Sequence, residues 1–401
     1  MTMRLRGRPV TGVMPARDHW MAVGSSADPR PRSAGREAAA AVAGSQPSLL
    51  LAFFSTSLEP VELLAGIMDE AGDVPLIGCS TAGAITAHGS ADGSVAVMAL
   101  GGNGFSVATA AAAGIHSRMR EAGSEVAGCL AGVASRPHRV LIMLSDGLAG
   151  EHEELVRGAY AVTGAAIPMV GGLAADDLRM ARTLQLHGDG VLTDSVVAAA
   201  LGSDSPFGVG IHHGYRPFGE PMLVTASAAS QILTLDDEPA LDVYLGRLEA
   251  PADCYRDAAA FTRFAVTHPL GLSRRSGQRL LGVVQVDLDA RTLACNAHVP
   301  HGAVTSFMES APASHLESAD RATRDAVRAL GDQPAIGLLA FEGIGRRRAL
   351  GEAGTAAEIA RMREAAGAAA SVCGFYTYGE IARIRGGEAF HSQSLVALAI
   401  G

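Results

Sequence analysis

Val74-Pro-Leu-Ile-Gly-Cys-Ser-Thr-Ala-Gly-Ala-Ile85 is the stretch on which the fold turns, because the chain writes it three times. The second copy is Ile167-Pro-Met-Val-Gly-Gly-Leu-Ala-Ala-Asp-Asp-Leu178, and the third is Ala370-Ser-Val-Cys-Gly-Phe-Tyr-Thr-Tyr-Gly-Glu-Ile381. With Gly78, Gly171 and Gly374 in register, Ile85, Leu178 and Ile381 fall in line seven places on. Each copy is an apolar, strand-like run that reaches a glycine and opens into small and polar residues. Repetition of this kind points to one supersecondary unit, copied, with the copies packed together. A strand ending at a glycine also lets backbone approach a ligand, so the three loops are candidate binding elements.

Outward from these stretches the pattern alternates. Residues 49–54 are a continuous apolar run, as a buried strand requires. Residues 60–71 carry Pro at an early helical position and Val61, Leu63, Leu64, Ile67 and Met68 on one side. Residues 118–133 and 151–162 read as helices around a strand at 140–144. Residues 183–186 and 196–201 read as strands joined through Gly188-Asp189-Gly190. After Gly219 the character changes, and weak periodicity over 249–260 reads as a domain boundary. Residues 280–287 and 293–299 form a second meander. Residues 336–342, 355–366, 371–375 and 394–400 complete the third strand–helix–strand–strand unit. The expected fold is α/β with sheets of mixed direction, layered with helices in repeated units. Two packed domains are expected, at 21–248 and 249–401, behind a loosely ordered arm at 1–20. The first 36 residues hold seven arginines, two aspartates and four prolines but no apolar signal-peptide core, and Met14 and Met21 are alternative starts.

Composition excludes several functions. A formal charge of −9 and no long basic run argue against a nucleic-acid binder, and Arg346-Arg347-Arg348 is the densest basic cluster. The 401 residues contain no lysine, which removes Schiff-base catalysis and a Walker A loop together. The five cysteines are scattered with no CxxC pair, so neither a zinc site nor a redox motif is indicated. They read as reduced thiols of a cytoplasmic protein, and no apolar run approaches the length of a membrane span.

The candidate site residues come from the loops. Ser80, Thr81 and Gly83 form a strand-to-loop nest suited to an anion, or else a turn whose hydroxyls satisfy their own backbone. Asp146 in Ser145-Asp146-Gly147, and Gly171, Gly172, Asp176 and Asp177, offer carboxylates for an ammonium group, or an Asp-rich surface turn. His213 and Arg216 lie in His212-His213-Gly214-Tyr215-Arg216-Pro217-Phe218-Gly219, where Arg216 can clamp a carboxylate bidentately. Tyr376, Tyr378 and Glu380 combine an aromatic wall with a carboxylate, fit for an amine through cation–π contact and charge pairing. The tight packing of Phe375 in a core is the plainer alternative.

These motifs together resemble the FIST (F-box and intracellular signal transduction) sensory family in both its N- and C-terminal domains, from about Met21 to the end of the chain. The residues that carry the likeness are Ile77-Gly-Cys-Ser-Thr-Ala-Gly83, Leu144-Ser-Asp-Gly147, Val170-Gly-Gly-Leu-Ala-Ala-Asp-Asp177, His213-Gly-Tyr-Arg-Pro-Phe-Gly219 and Gly374-Phe-Tyr-Thr-Tyr-Gly-Glu-Ile381. The chain departs from the family at Phe341-Glu-Gly-Ile-Gly-Arg346, which lacks a cysteine, and at Phe390-His-Ser-Gln-Ser-Leu395, which has serines in place of Asn and Thr. The resemblance implies a non-catalytic signal-input protein binding an amino acid or similar metabolite. No cofactor, metal, nucleic acid or membrane is expected, and a downstream signalling protein is the candidate partner. In that reading Ser80, Thr81 and Arg216 take the ligand's carboxylate, Asp176, Asp177 or Glu380 its ammonium, with Tyr376 and Tyr378 as walls and Arg346 nearby. Arg216→Ala is expected to abolish binding. The rivals are a hydrolase or transferase using Cys79 or Ser80 with His213 or His391, and a ligand-free interaction scaffold.

Overall fold

The three copied stretches become three equivalent strands, each the second member of a parallel pair, in a computed structural model that describes residues 19–401 except 45, 276 and 384–388. Residues 1–18 of the expected arm lie outside the described residues. The first unit runs β1 (Trp20–Ser26), α1 (Pro31–Ala43), β2 (Leu49–Ser55), α2 (Pro60–Ala71), β3 (Leu76–Thr81), a hairpin β4 (Ala84–Thr86) and β5 (Gly89–Ala91), then β6 (Val95–Gly101). The second repeats this order: β7 (Phe105–Ala113), α3 (Met119–Ala127), β8 (His138–Ser145), α4 (His152–Thr163), β9 (Met169–Leu173), hairpin β10 (Gln185–His187) and β11 (Gly190–Leu192), then β12 (Ser195–Ser203). The helix expected over 118–133 ends early, and its tail is a 3-10 segment at Gly128–Val133.

The third unit opens with β13 (Phe207–His212) and is then interrupted. The insertion comprises β14 (Tyr215–Ala228), β15 (Gln231–Leu235), β16 (Glu238–Pro239), α5 (Ala240–Arg247), α6 (Ala258–Ala265), β17 (Leu270–Arg274), β18 (Gly277–Leu281), β19 (Val283–Asp287), β20 (Thr292–Cys295) and β21 (Val304–Ser310). The unit resumes with α7 (Pro312–Arg328), β22 (Gly337–Gly343), α8 (Ile344–Ala366), β23 (Ser371–Thr377), hairpin β24 (Glu380–Arg383) and β25 (Phe390–His391), then β26 (Leu395–Ile400). Helix α8 breaks at Gly351, whose φ is 63°. The insertion is one antiparallel sheet, ordered β18-β17-β21-β14-β15-β20-β19 with β16 on β15. Its end strands β18 and β19 are consecutive in the chain, separated only by Gly282. The boundary expected near residue 249 therefore falls inside this insertion, between α5 and α6.

The three core sheets share one plan: β1-β6-β2-β3, β7-β12-β8-β9 and β13-β26-β22-β23. Each is completed by a hairpin from another unit. Hairpin β4–β5 joins β23, β10–β11 joins β3, and β24–β25 joins β9, a closed cycle of exchange. The crossings interlock through backbone bonds: Ser80 N–H donates to the Leu184 carbonyl (2.9 Å), Leu173 N–H to Gly379 (2.8 Å) and Tyr376 N–H to Gly83 (2.9 Å). The repeated glycine sits where the parallel partner comes closest. A Cβ at Gly78, Gly171 or Gly374 would lie 2.4, 1.9 or 2.0 Å from the carbonyl oxygen of Ala52, Met143 or Ala340. A side chain there would force the strands apart, so the repeat marks a packing requirement.

The register beyond that glycine is corrected in the second copy. Gly374 pairs with Ile85 and Gly171 with Ile381, but Gly78 pairs with Leu186, not with Leu178. Leu186 lies fifteen residues after Gly171, where the other copies have seven, so the second copy carries eight extra residues before its hairpin. Likewise the turn Gly188-Asp189 joins β10 to β11, and β12 is a separate strand. Apolar faces of all three core sheets meet in one central cluster that includes Leu51, Phe53, Ile142, Leu144, Phe341 and Phe375. Helix pairs α1/α2, α3/α4 and α7/α8 cover the outer faces, burying Leu63 and Ile67 in the first unit, for example. This accounts for the continuous apolar run in the first strand of each parallel pair, residues 49–54, 140–144 and 338–341.

Candidate ligand-binding cleft

A cleft of about 520 Å³ lies between the three-unit core and the insertion. One wall is the 147–157 segment, which follows β8 and opens α4. The floor is Gly343, Thr377, Tyr378, Glu380, Ser392 and Gln393 of the third unit. Leu178 and Met180, from the extra residues of the second copy, form another side, and Val266, Val283 and Ala294–His298 of the insertion form the lid. Three side-chain contacts tie lid to core: Asn296 Nδ2 donates to Ser392 Oγ (3.0 Å), Gln393 Nε2 donates to the Val266 carbonyl (3.0 Å), and Arg279 pairs with Glu153.

Glu380 is the central group. It is fully buried, Oε1 accepting from the Thr377 hydroxyl (2.8 Å) and Oε2 from Ser394 N–H (2.9 Å). Burial pushes its carboxyl up to about 8, although both hydrogen bonds and Arg346 pull the other way. Ala84 and Gln185 occupy the equivalent ladder positions, opposite Phe375 and Cys79 as Glu380 is opposite Gly172. Only the third copy places an acid at this point. Tyr378 also lines the cleft, its hydroxyl donating to Asp176 and accepting from Leu178 N–H (2.7 Å). Burial, then the Asp176 carboxylate, raise that phenol far above its ordinary range. His152, at the start of α4, donates from Nε2 to the Asp146 carbonyl (2.7 Å), and burial holds its pKa down, so the ring is neutral.

The other expected residues are dispersed, each with local employment. Ser80 Oγ accepts from Leu184 N–H of the second unit (3.0 Å), and Thr81 Oγ1 accepts from Gly83 N–H in its own turn (3.1 Å), so both hydroxyls are taken up by backbone. Gly83 lies beside the Arg347 guanidinium, 2.6 Å from the position of a Cβ. Asp146 ties the end of β8, accepting from Thr183 Oγ1 (2.7 Å), Leu148 N–H (2.8 Å) and Asp194 N–H (3.1 Å). Gly171 and Gly172 are buried in β9. Asp176 organises the extra loop, accepting from the N–H groups of Met180 (3.0 Å), Ala181 (2.7 Å) and Arg182 (2.9 Å). Asp177 pairs with Arg348 at the surface (2.9 Å). His213 Nδ1 accepts from Tyr215 N–H (3.3 Å). Arg216 is 79% exposed and pairs with Glu309 (2.8 Å), away from the cleft. Tyr376 is buried under Arg347, 5.1 Å from its ring centre. The arrangement therefore brings Glu380 and Tyr378 to the cleft, with Asp176 behind Tyr378, and places Arg216 outside it.

The thiol of the rival reading is sealed. Cys79 lies in the central core, and burial raises its pKa well above the ordinary range. His391 Nε2 donates to the Ala382 carbonyl (3.0 Å). Sequence reading missed Gln393, Ser392, Asn296 and His152. The signal for the first two was present, since Phe390-His-Ser-Gln-Ser-Leu395 stands out as a departure. Asn296 carried a weaker one as one of the chain's two asparagines.

The FIST N domain matches residues 48–238 and the FIST C domain residues 240–383. The chain belongs to the FIST family. FIST domains are sensory domains of signal transduction. The uncharacterized protein MJ1623 of Methanocaldococcus jannaschii is 28% identical over 153 residues, a stretch covering 36% of this chain and 30% of that protein. Among the described residues no helix is long and apolar enough to cross a membrane. In this FIST protein the N and C matches meet at β16 and α5, inside the insertion, so both contribute to the insertion and to the core.

Behind the cleft floor the FIST C portion buries a charged cluster. Arg346 is fully buried, donating to Glu342 (3.1 Å), to Ser318 Oγ (2.9 Å) and to the His315 carbonyl (3.1 Å), and pairing with Glu358. Burial and the neighbouring Glu358 push the Glu342 carboxyl well up, with Arg346 opposing. Burial, then Arg346, drive His315 down to about 3, leaving it neutral. Arg346 thus anchors α8 to α7 and β22, and does not line the cleft.

Proposed function

We propose that this FIST protein senses a small ammonium-bearing metabolite, of which an amino acid is the type, in the cleft between core and insertion. The observation that carries the reading is Glu380, a buried carboxyl at the floor of a cleft of molecular size. Glu151, Glu153, Glu154 and Glu380 line the cleft with Arg157; Glu153 pairs with Arg279 and Glu154 with Arg120 and Arg157, which leaves Glu151 and the Glu380 carboxyl to face a cationic group. Leu178, Met180, Val266, Val283 and Ile344 offer an apolar surface for a side chain. Lid and core touch through a few polar contacts, so occupancy of the cleft bears directly on how the insertion is held, which suits a signal-input role.

The test is a thermal-shift screen against amino acids, primary amines and their deaminated analogues. A compound at 100 times its dissociation constant adds ~2.7 kcal/mol, a shift of a few degrees for a chain this size. Shifts confined to ammonium-bearing compounds are expected. No shift with any of them, or equal shifts with the deaminated set, removes the reading.

A further inference from the structure

Gln393 occupies the turn between β25 and β26 with φ 56°, a left-handed conformation unusual for a residue with a side chain. Such a conformation persists only where the surroundings impose it, and these cluster at ligand sites. The residue is 7% exposed and lines the cleft. Its Nε2 donates to the Val266 carbonyl at the end of α6 (3.0 Å). A carbonyl can only accept, so this bond fixes which end of the amide is which. The other end, Oε1, is a buried acceptor with no partner in the protein. Gly343 and Gly345 leave the amide its room: a Cβ on them would lie 2.8 Å from Gln393 Cα and 2.2 Å from Oε1. The Gly343 position is also 3.1 Å from Glu380 Oε1, so the carboxyl lies close to the backbone of Gln393, and both residues line the cleft.

A buried acceptor without a donor is costly, and a site that leaves one open calls for a ligand that brings an N–H. We propose that Gln393 is a ligand-binding residue, its Oε1 accepting one N–H of the ammonium whose charge faces Glu380. The inference rests on the ammonium-site reading of the cleft. It adds a consequence: through Nε2 the same amide grips the insertion, so a ligand that orders Oε1 also steadies α6. An ordered water at Oε1 is the competing occupant.

The experiment is titration calorimetry of wild type and Gln393→Met with the twenty common amino acids, ethanolamine and n-butylamine, alongside backbone hydrogen exchange of wild type with and without the tightest of them. The expected result is affinity lowered tenfold or more in Gln393→Met, and slower exchange at residues 258–266 when the probe is bound to wild type. Equal affinity for both proteins overturns the role of Gln393 while Glu380's stands. No binding by wild type overturns both. If Gln393→Met does not fold, the exchange experiment decides alone, and unchanged exchange at 258–266 refutes the proposal.

Discussion

Replacing Glu380 with Gln should change how stability depends on pH more than it changes stability itself. The carboxyl is lifted from 4.5 to about 8 by burial, the cause that outweighs its two hydrogen bonds. Between those pH values the folded protein holds a proton that the unfolded chain has released. Stability must therefore fall as pH rises across that window. At ~1.4 kcal/mol per pH unit the ceiling is about 5 kcal/mol, and partial relaxation brings the working expectation to roughly 2–4 kcal/mol. Glutamine is nearly isosteric, can accept from Ser394 N–H and cannot titrate. Urea unfolding of both proteins from pH 5 to pH 9 is the assay. The stability of wild type relative to Glu380→Gln should be greatest at pH 5, decline steadily, and level off above pH 8. Parallel curves would refute the reasoning, because they would mean the carboxyl is ionised in the fold at no cost.

Three further outcomes follow from the same contacts. Arg346→Met leaves Glu342 and Glu358 buried without their cation and should cost ~3–5 kcal/mol in denaturant unfolding, less at pH 5 than at pH 8 because the Glu342 carboxyl, already pushed up by burial, is then more readily protonated. Arg216→Ala should leave ligand affinity within about twofold by calorimetry, since an exposed ion pair with Glu309 contributes little. In the native protein, alkylation followed by mass spectrometry should label the half-buried Cys129 before Cys79 or Cys373, both enclosed in the central core. Early labelling of Cys79 would revive the enzyme reading.

Much of the core was legible because its periodicity is strong and repeated. The apolar run at 49–54 and the Pro-led helix at 60–71 lie within a residue of β2 and α2. The three-fold unit itself followed from aligning Gly78, Gly171 and Gly374. What sequence could not show was where each hairpin goes, because the exchange between units is long-range and leaves no local mark. The eight extra residues of the second copy misled for a related reason. Asp176, Asp177 and Leu178 continue the pattern by eye, yet Asp177 and Leu178 adopt φ of 57° and 62° in a loop fastened by Asp176 and Tyr378. Of the residues singled out from sequence, Glu380 and Tyr378 line the cleft and belong to the most specific motif. Arg216 lies outside it, since β14 turns it outward beside Glu309. Gln393 has no charge to draw attention, and its meaning comes only from an unpaired oxygen in three dimensions.

Titration calorimetry at pH 7 with an ammonium-bearing ligand, repeated in buffers of different ionisation enthalpy, tests the central claim most directly. In the empty cleft Glu380, lifted to about 8, is mostly protonated at that pH. An ammonium group placed against it favours the carboxylate and expels the proton. The account predicts release of nearly one proton per ligand at pH 7, little release at pH 9.5, and none at either pH in Glu380→Gln. Binding with no buffer dependence, or with the same proton release in Glu380→Gln, would contradict it.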